Sequence, residues 1–237
     1  MDAQDRLSPG QFAATLVALA AAAIAPLSFV SAAAGFFTLH ELALRAVLPA
    51  AAVIVFLGFL AAGRGWRRLL RAVLVAAGAG FVATGGLEIV RVIGLHAFGA
   101  MPGSMPMEMG HLLTGSVSPL FTDITGWAYH FWNGISFALI YALLFGRRTW
   151  WTGLPYAYVI ATVFMVSPAM GAMGAGDFGQ QFAPVAFPLT VYLAHTAFGA
   201  LLGWVVSRSY LPGPALWQYL PGGGPREVGG HQAHETR

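Results

Sequence analysis

Met105, Met107 and Met109 alternate in the run Met105-Pro-Met-Glu-Met-Gly-His111, and with Met101 they gather four of the chain's eight methionines into one short segment. Thioether sulfur is a soft, neutral donor. Beside the imidazole of His111 it suits Cu(I) better than a hard cation. Three further groups, Glu88, His130 and His195, stand in separate apolar runs. Ionisable side chains rarely occupy such surroundings unless they meet a partner or serve an ion or proton path. Together Glu88, His130, His195, Met105, Met107, Met109 and His111 predict a transition-metal site, with copper or another transition metal as cofactor. Arg91, Asn133 and Tyr141 stand behind this set: Arg91 follows Glu88 at i+3, and Asn133 and Tyr141 share the helical face of His130. A plainer reading pairs Glu88 with Arg91, gives each histidine a backbone carbonyl or Asn133, and makes the methionines adaptable apolar plugs.

The segments that position these groups are membrane helices. Of 237 residues 57% are hydrophobic and 9% charged, with mean hydropathy +0.69, against roughly 25% charged in soluble domains. Several apolar runs reach the roughly 20 residues that cross a bilayer. The chain has no cysteine, which removes disulfides, thiolate metal sites and thiol nucleophiles. Net charge +3 and pI near 9.6 come from arginine. In such a chain arginine is a topology signal first, so no nucleic-acid partner is expected.

The expected fold is all-α, a polytopic membrane bundle of six transmembrane helices over residues 1–208. The spans run from about Phe12 to Phe37, Ala43 to Ala62, Leu69 to Leu95, Gly126 to Phe145, Thr152 to Met173 (with Pro168 kinking or ending it) and Pro188 to Ser207. His40-Glu41 reads as a short polar turn, and residues 96–125 as an outer, Met-rich loop. The Pro- and Gly-rich segment 209–237 reads as a disordered cytoplasmic tail. Arg6, the cluster Arg64 to Arg71, Arg147-Arg148 and Arg208 all fall on one side, with at most Arg45 on the other. The positive-inside rule then puts both termini in the cytoplasm and the Met-rich loop in the periplasm or outside, in a multi-pass protein of the bacterial inner (plasma) membrane. Counted inward along the helices, Glu88, His130 and His195 lie about 6–11 Å below the outer boundary.

Small residues supply the packing signal: Gly199 with Gly203 is a GxxxG, and Gly134 with Ala138 its relative. His130-Phe-Trp-Asn-Gly134 and His195-Thr-Ala-Phe-Gly199 share a His-x-x-x-Gly spacing and suggest a repeated helical hairpin. Trp127-Ala-Tyr-His130 with Gly134 and Tyr141, followed by Met165-Val-Ser-Pro168, Gly176-Asp-Phe-Gly179 and His195 with Gly199, resembles bacterial families of small, uncharacterised multi-span inner-membrane proteins. The resemblance covers the second half of the chain. It implies the fold, leaves activity open, and does not extend to the Met-rich loop.

Three functions fit these residues. The first is binding or passage of a copper-like ion at a polar site in the outer leaflet. The second is a membrane oxidoreductase that holds metal or haem with the same histidines. The third is a non-catalytic membrane subunit or assembly factor. Its partners would be the lipid bilayer and a membrane-protein neighbour or a second copy. No phosphate-cradling Gly loop and no Ser-His-acid set accompanies them, so no catalytic residue is assigned.

Overall fold

The computed structural model describes residues 7–115, 118–212 and 215–219, and among these every secondary-structure element is helical. Helix α1, Pro9–Ala33, starts at Ser8, whose hydroxyl accepts the amide of Gln11, and Pro9 opens its first turn. Helix α2, Leu39–Leu42, passes through a π turn, Ala43–Val47, into α3, Leu48–Gly63. A capping box of Thr38 and Glu41 begins it, so His40 and Glu41 open a helix instead of forming a turn. Helix α4, Arg67–Phe98, is the longest and stops at Gly99 in the left-handed conformation. Helix α5 is Met105–Thr114 and α6 is Pro119–Leu144. A 3-10 turn, Trp150–Thr152, leads into α7, Gly153–Met165, and Pro168 begins the short α8, Pro168–Ala172. Helix α9 is Ala186–Arg208.

The segment 96–125, expected as a loop, contains α5. Pro106 sits in the first turn, where a missing N–H costs nothing, Met, Glu and Leu favour helix, and Gly115 closes the end at φ 62°. The fifth expected span is interrupted: α7 stops at Met165, and Ser167-Pro168 starts α8 in a new direction. Most of the expected disordered tail, residues 220–237 with 213 and 214, lies outside the described residues. Its described part runs back onto the bundle, where Leu216 is buried and Pro212 carbonyl accepts from Arg68.

Four helices are long and apolar enough to cross a membrane: Pro9–Ala33, Leu39–Gly63, Arg67–Phe98 and Ala186–Arg208. Their outward faces agree with that, since Phe56, Phe59 and Ile89 are 64%, 75% and 65% exposed, and stretches of large apolar surface are unusual on a soluble monomer. The core is small-residue and aliphatic: Ala18, Ala22, Leu69, Ala76, Ala79, Ala83, Leu139 and Leu202 are almost fully buried. Glycines bring the helix backbones together. A Cβ on Gly80 would strike the backbone of Ile135, and one on Gly134 would strike Thr84, where α4 crosses α6. Gly153 meets the carbonyl of Gly199, and Gly203 that of Trp150, where α7 meets α9. Gly110 and Gly126 do the same for α5 and α6.

These contacts give a differential test. Gly203→Ala and Gly153→Ala push a methyl into backbone that cannot give way and should destabilise by about 1–3 kcal/mol. Gly78→Ala, on α4 with open space around its Cα, should be neutral or stabilise by up to about 1 kcal/mol. Thermal unfolding in detergent checks the order, and equal shifts at Gly203 and Gly78 would refute the close approach.

Candidate functional site

The polar groups of the bundle meet where α4, α6 and α9 run side by side. Glu88 and Arg91 lie one turn apart on α4, and both are buried. Nη1 of Arg91 donates to Oε1 of Glu88 at 2.8 Å, and Nε2 of His130, from α6, approaches the same oxygen at 2.8 Å. That second contact is close but lies off the line of a well-formed hydrogen bond. Nη2 of Arg91 also reaches the carbonyl of Gly103 at 3.4 Å, which ties the start of α5 to α4. Nε of Arg91, both ring nitrogens of His130 and the hydroxyl of Thr84 are buried without a hydrogen-bond partner.

Beneath α5 is a cavity of about 430 Å³. Arg91, His130, Asn133 and Thr84 form part of its wall, with His195 from α9. The rest is mostly apolar and comes from α1, α4, α5, α6, α7 and α9, with Met101. Nδ1 of His195 lies 2.8 Å from the carbonyl of Val191. A carbonyl can only accept, so Nδ1 carries the proton in the neutral ring and Nε2 presents its lone pair. Asn133 donates to the carbonyl of Tyr129 at 2.9 Å, and Tyr129 donates to that of Ala25 at 2.7 Å, which holds α1 against α6.

The residues singled out in the sequence separate into two groups. His130, His195, Met105 and Met109 border this one cavity, with Arg91 and Asn133. Glu88 does not border it; Arg91 and His130 stand between. Met107 is 43% exposed and His111 is exposed, both on the far face of α5. The helix explains this, because residues two apart point in nearly opposite directions and residues four apart align. Met105 and Met109 therefore turn inward together, into an apolar cluster with Ala25, Leu39 and Leu113. Tyr141 lies near the opposite end of α6, hydrogen-bonded to Thr152 at 2.5 Å. His40 bonds the carbonyl of Leu113 at 2.6 Å and fastens α2 to α5. Among the described residues no three His, Asp or Glu side chains form a group able to hold a metal ion.

Sequence reasoning placed Met101 in the Met-rich run but left it out of the site, and missed the α1 wall, where Pro26, Leu27 and Val30 line the cavity. A proline inside an apolar helix was the available signal for α1. At the other end of the bundle, the walls of this cavity and of a second, larger hollow share Tyr156 and Val159 of α7.

The fold and site thus define an all-helical protein with four helices fit to cross a membrane, packed around an apolar cavity with one charged, hydrogen-bonding wall. The chain belongs to the family of unknown function DUF6789, which matches it over residues 70–212. No curated protein and no solved structure matches it. The matched stretch contains Glu88, Arg91, His130 and His195, whereas α1 precedes it.

Removing Glu88 alone strands the charge of Arg91 in the bundle. Glu88→Gln should destabilise by about 3–5 kcal/mol, while Glu88→Leu with Arg91→Met should recover most of that loss. Unfolding monitored by tryptophan fluorescence in detergent compares them. A double variant less stable than Glu88→Gln would mean that the pair itself, and not the stranded charge, dominates.

Proposed function

We propose that this is a six-span membrane protein that binds a neutral, lipid-like molecule with one hydrogen-bonding head, taken up sideways from the bilayer. The cavity carries the reading. About 430 Å³ lies within the range of small-molecule sites, and its wall combines a long apolar surface with one polar corner. Glu88 offsets the charge of Arg91, so the corner favours a neutral carbonyl or hydroxyl over a carboxylate. Arg91, His130 and His195 border the cavity and are the hydrogen-bonding groups we assign to such a head, His195 through the lone pair of Nε2. Access is lateral. Helix α1 packs on α3 and α6 but scarcely meets α7, and Leu27, Val159 and Val163, which line the cavity, are 58%, 62% and 56% exposed.

A short-chain quinone is a suitable probe, since it joins carbonyl acceptors to an apolar body. It should bind the purified protein, read by quenching of tryptophan fluorescence. Val163→Trp, which fills the opening without touching the polar corner, should weaken binding at least tenfold, about 1.4 kcal/mol. No binding to the unaltered protein, or equal binding to Val163→Trp, defeats the reading. A Cu(I) site is the second reading, supported by Met105, Met109, His130 and His195 bordering one cavity. Cu(I) that displaces the quinone from the native chain, but not from Met105→Leu/Met109→Leu, would favour it.

The six spans add α6 and the broken α7–α8 pair to the four apolar helices. Helix α6 has 26 residues, about 39 Å at 1.5 Å per residue, ample for a hydrocarbon core of about 30 Å. Helix α7 has 13 residues and needs α8 and its flanking turns to complete a crossing. Charge supports a cytoplasmic position for the arginine-rich end. Arg64, Arg67, Arg147 and Arg208 stand there, whereas Glu41, Glu108, Asp123 and Asp177 stand at the other. In intact cells an impermeant thiol reagent should label Ser104→Cys and Asp177→Cys but not Arg67→Cys or Arg147→Cys. The native chain has no cysteine to interfere. The converse pattern would invert the protein.

A further inference from the structure

The second hollow, about 1160 Å³, opens at the arginine-rich end between the close of α6, the start of α7 and the close of α9. Arg147 and Arg148 border it, with Thr149, Trp151 and Ser207. Both arginines are exposed and neither meets a carboxylate among the described residues. They are nevertheless held in place. Nε of Arg147 donates to the carbonyl of Ser207 at 3.0 Å, and the guanidinium of Arg148 lies 4.2 Å from the ring centre of Trp217. Anchoring by one edge or one face leaves further N–H donors of each fork for an anion.

Charge complementarity identifies the occupant. All five described Asp and Glu residues, Glu41, Glu88, Glu108, Asp123 and Asp177, are away from this end of the bundle, so among the described residues the charge there is positive and without a facing carboxylate. Trp150 and Trp151 are exposed beside the pair, as aromatic residues are at the level of lipid headgroups. From the arginines the hollow continues along Pro155, Tyr156 and Val159. Tyr156 and Val159 are also wall residues of the main cavity. A basic mouth that continues into an apolar groove facing the bilayer has the form of a phospholipid, head first and one acyl chain along α7.

We infer that Arg147 and Arg148 bind the phosphate of an anionic phospholipid from the leaflet at the arginine-rich end, with an acyl chain lying in the groove over Tyr156 and Val159. This site is separate from the polar corner of the main cavity and does not depend on the ligand proposed for it. Basic pockets between membrane helices recognise anionic headgroups in this way.

Native mass spectrometry of the detergent-purified full chain, given equal phosphatidylglycerol and phosphatidylcholine, tests it. Phosphatidylglycerol should be retained preferentially, and Arg147→Gln/Arg148→Gln should lower its occupancy at least fivefold. Arg148→Gln alone, which breaks no backbone hydrogen bond, should lower it at least twofold and serves if the double variant does not fold. Arg64→Gln/Arg67→Gln removes the same charge from the same end outside the groove and should change occupancy little. An equal loss in that control would mean diffuse surface attraction and overturn the site. So would equal retention of the two lipids, or displacement of phosphatidylglycerol by millimolar inorganic phosphate, which would mark a simple anion site.

Discussion

A carboxylate among apolar helices must be neutralised, and the way Glu88 meets that requirement sets the register of the bundle. Arg91 neutralises it along α4, and His130 approaches it from α6. The cross-helix contact is possible only because the two backbones are close. Gly80 lies against Ile135, Thr84 against Gly134, and Glu88 against His130. As residues 80, 84 and 88 ascend along α4, their neighbours 135, 134 and 130 descend along α6, as two antiparallel helices require. Sliding α6 by one turn would separate His130 from Glu88 and drive the side chains beside Gly134 into Thr84. Charge pairing and glycine contact therefore select the same alignment. Intramembrane polar groups face the interior for this reason, since lipid offers no competing partner.

That arrangement also determines what the cavity presents. Arg91 and His130 stand in front of Glu88, so the carboxylate is enclosed and the cavity is bordered by its two partners instead. Arg91 reaches further, to Gly103, and so steers the chain into α5. Met105 and Met109 then fall over the cavity, while the approach of Gly110 to Thr122 and of Gly126 to Pro106 presses α5 onto α6. His40, bonded to the carbonyl of Leu113, holds the other side of α5. The charged core, the cover and the cavity are consequences of one set of short contacts.

Much of this was legible in the sequence. Glu88 with Arg91 at i+3 and the shared face of His130 and Gly134 follow from helical periodicity once the spans are marked, and Gly199 with Gly203 marks a close helix approach without naming α7 as the neighbour. The Met-rich segment was harder. Alternating methionines suggest an extended loop wrapped around an ion, and the pattern lacks the apolar length that announces a helix. Pro106 and Gly115 were the helix signals, and once the helix is granted, Met107 and His111 must part from Met105 and Met109. The break at Ser167-Pro168 was expected as a kink or an end. For the share of α1 in the cavity Pro26 was the one signal, because its near-uniform Ala and Leu surface has no periodicity to mark a facing side.

The difference between the two walls of the cavity has a consequence for recognition. The polar corner is built by α4, α6 and α9, inside the stretch that belongs to DUF6789. Much of the apolar wall is built by α1, which lies before that stretch, and by α7, which lies within it and scarcely meets α1. Hydrogen-bonding groups held by buried contacts cannot shift without stranding a charge, so the corner is rigid. The α1 wall is fixed mainly through Tyr129 to Ala25 and through packing on α3 and α6, and along the seam with α7 it is free of such a penalty. Under the ligand reading proposed here, the head of the bound molecule is therefore selected by a rigid polar surface. Its body is selected by an apolar seam that can widen at little energetic cost, and the seam, not the corner, limits the size of what is bound.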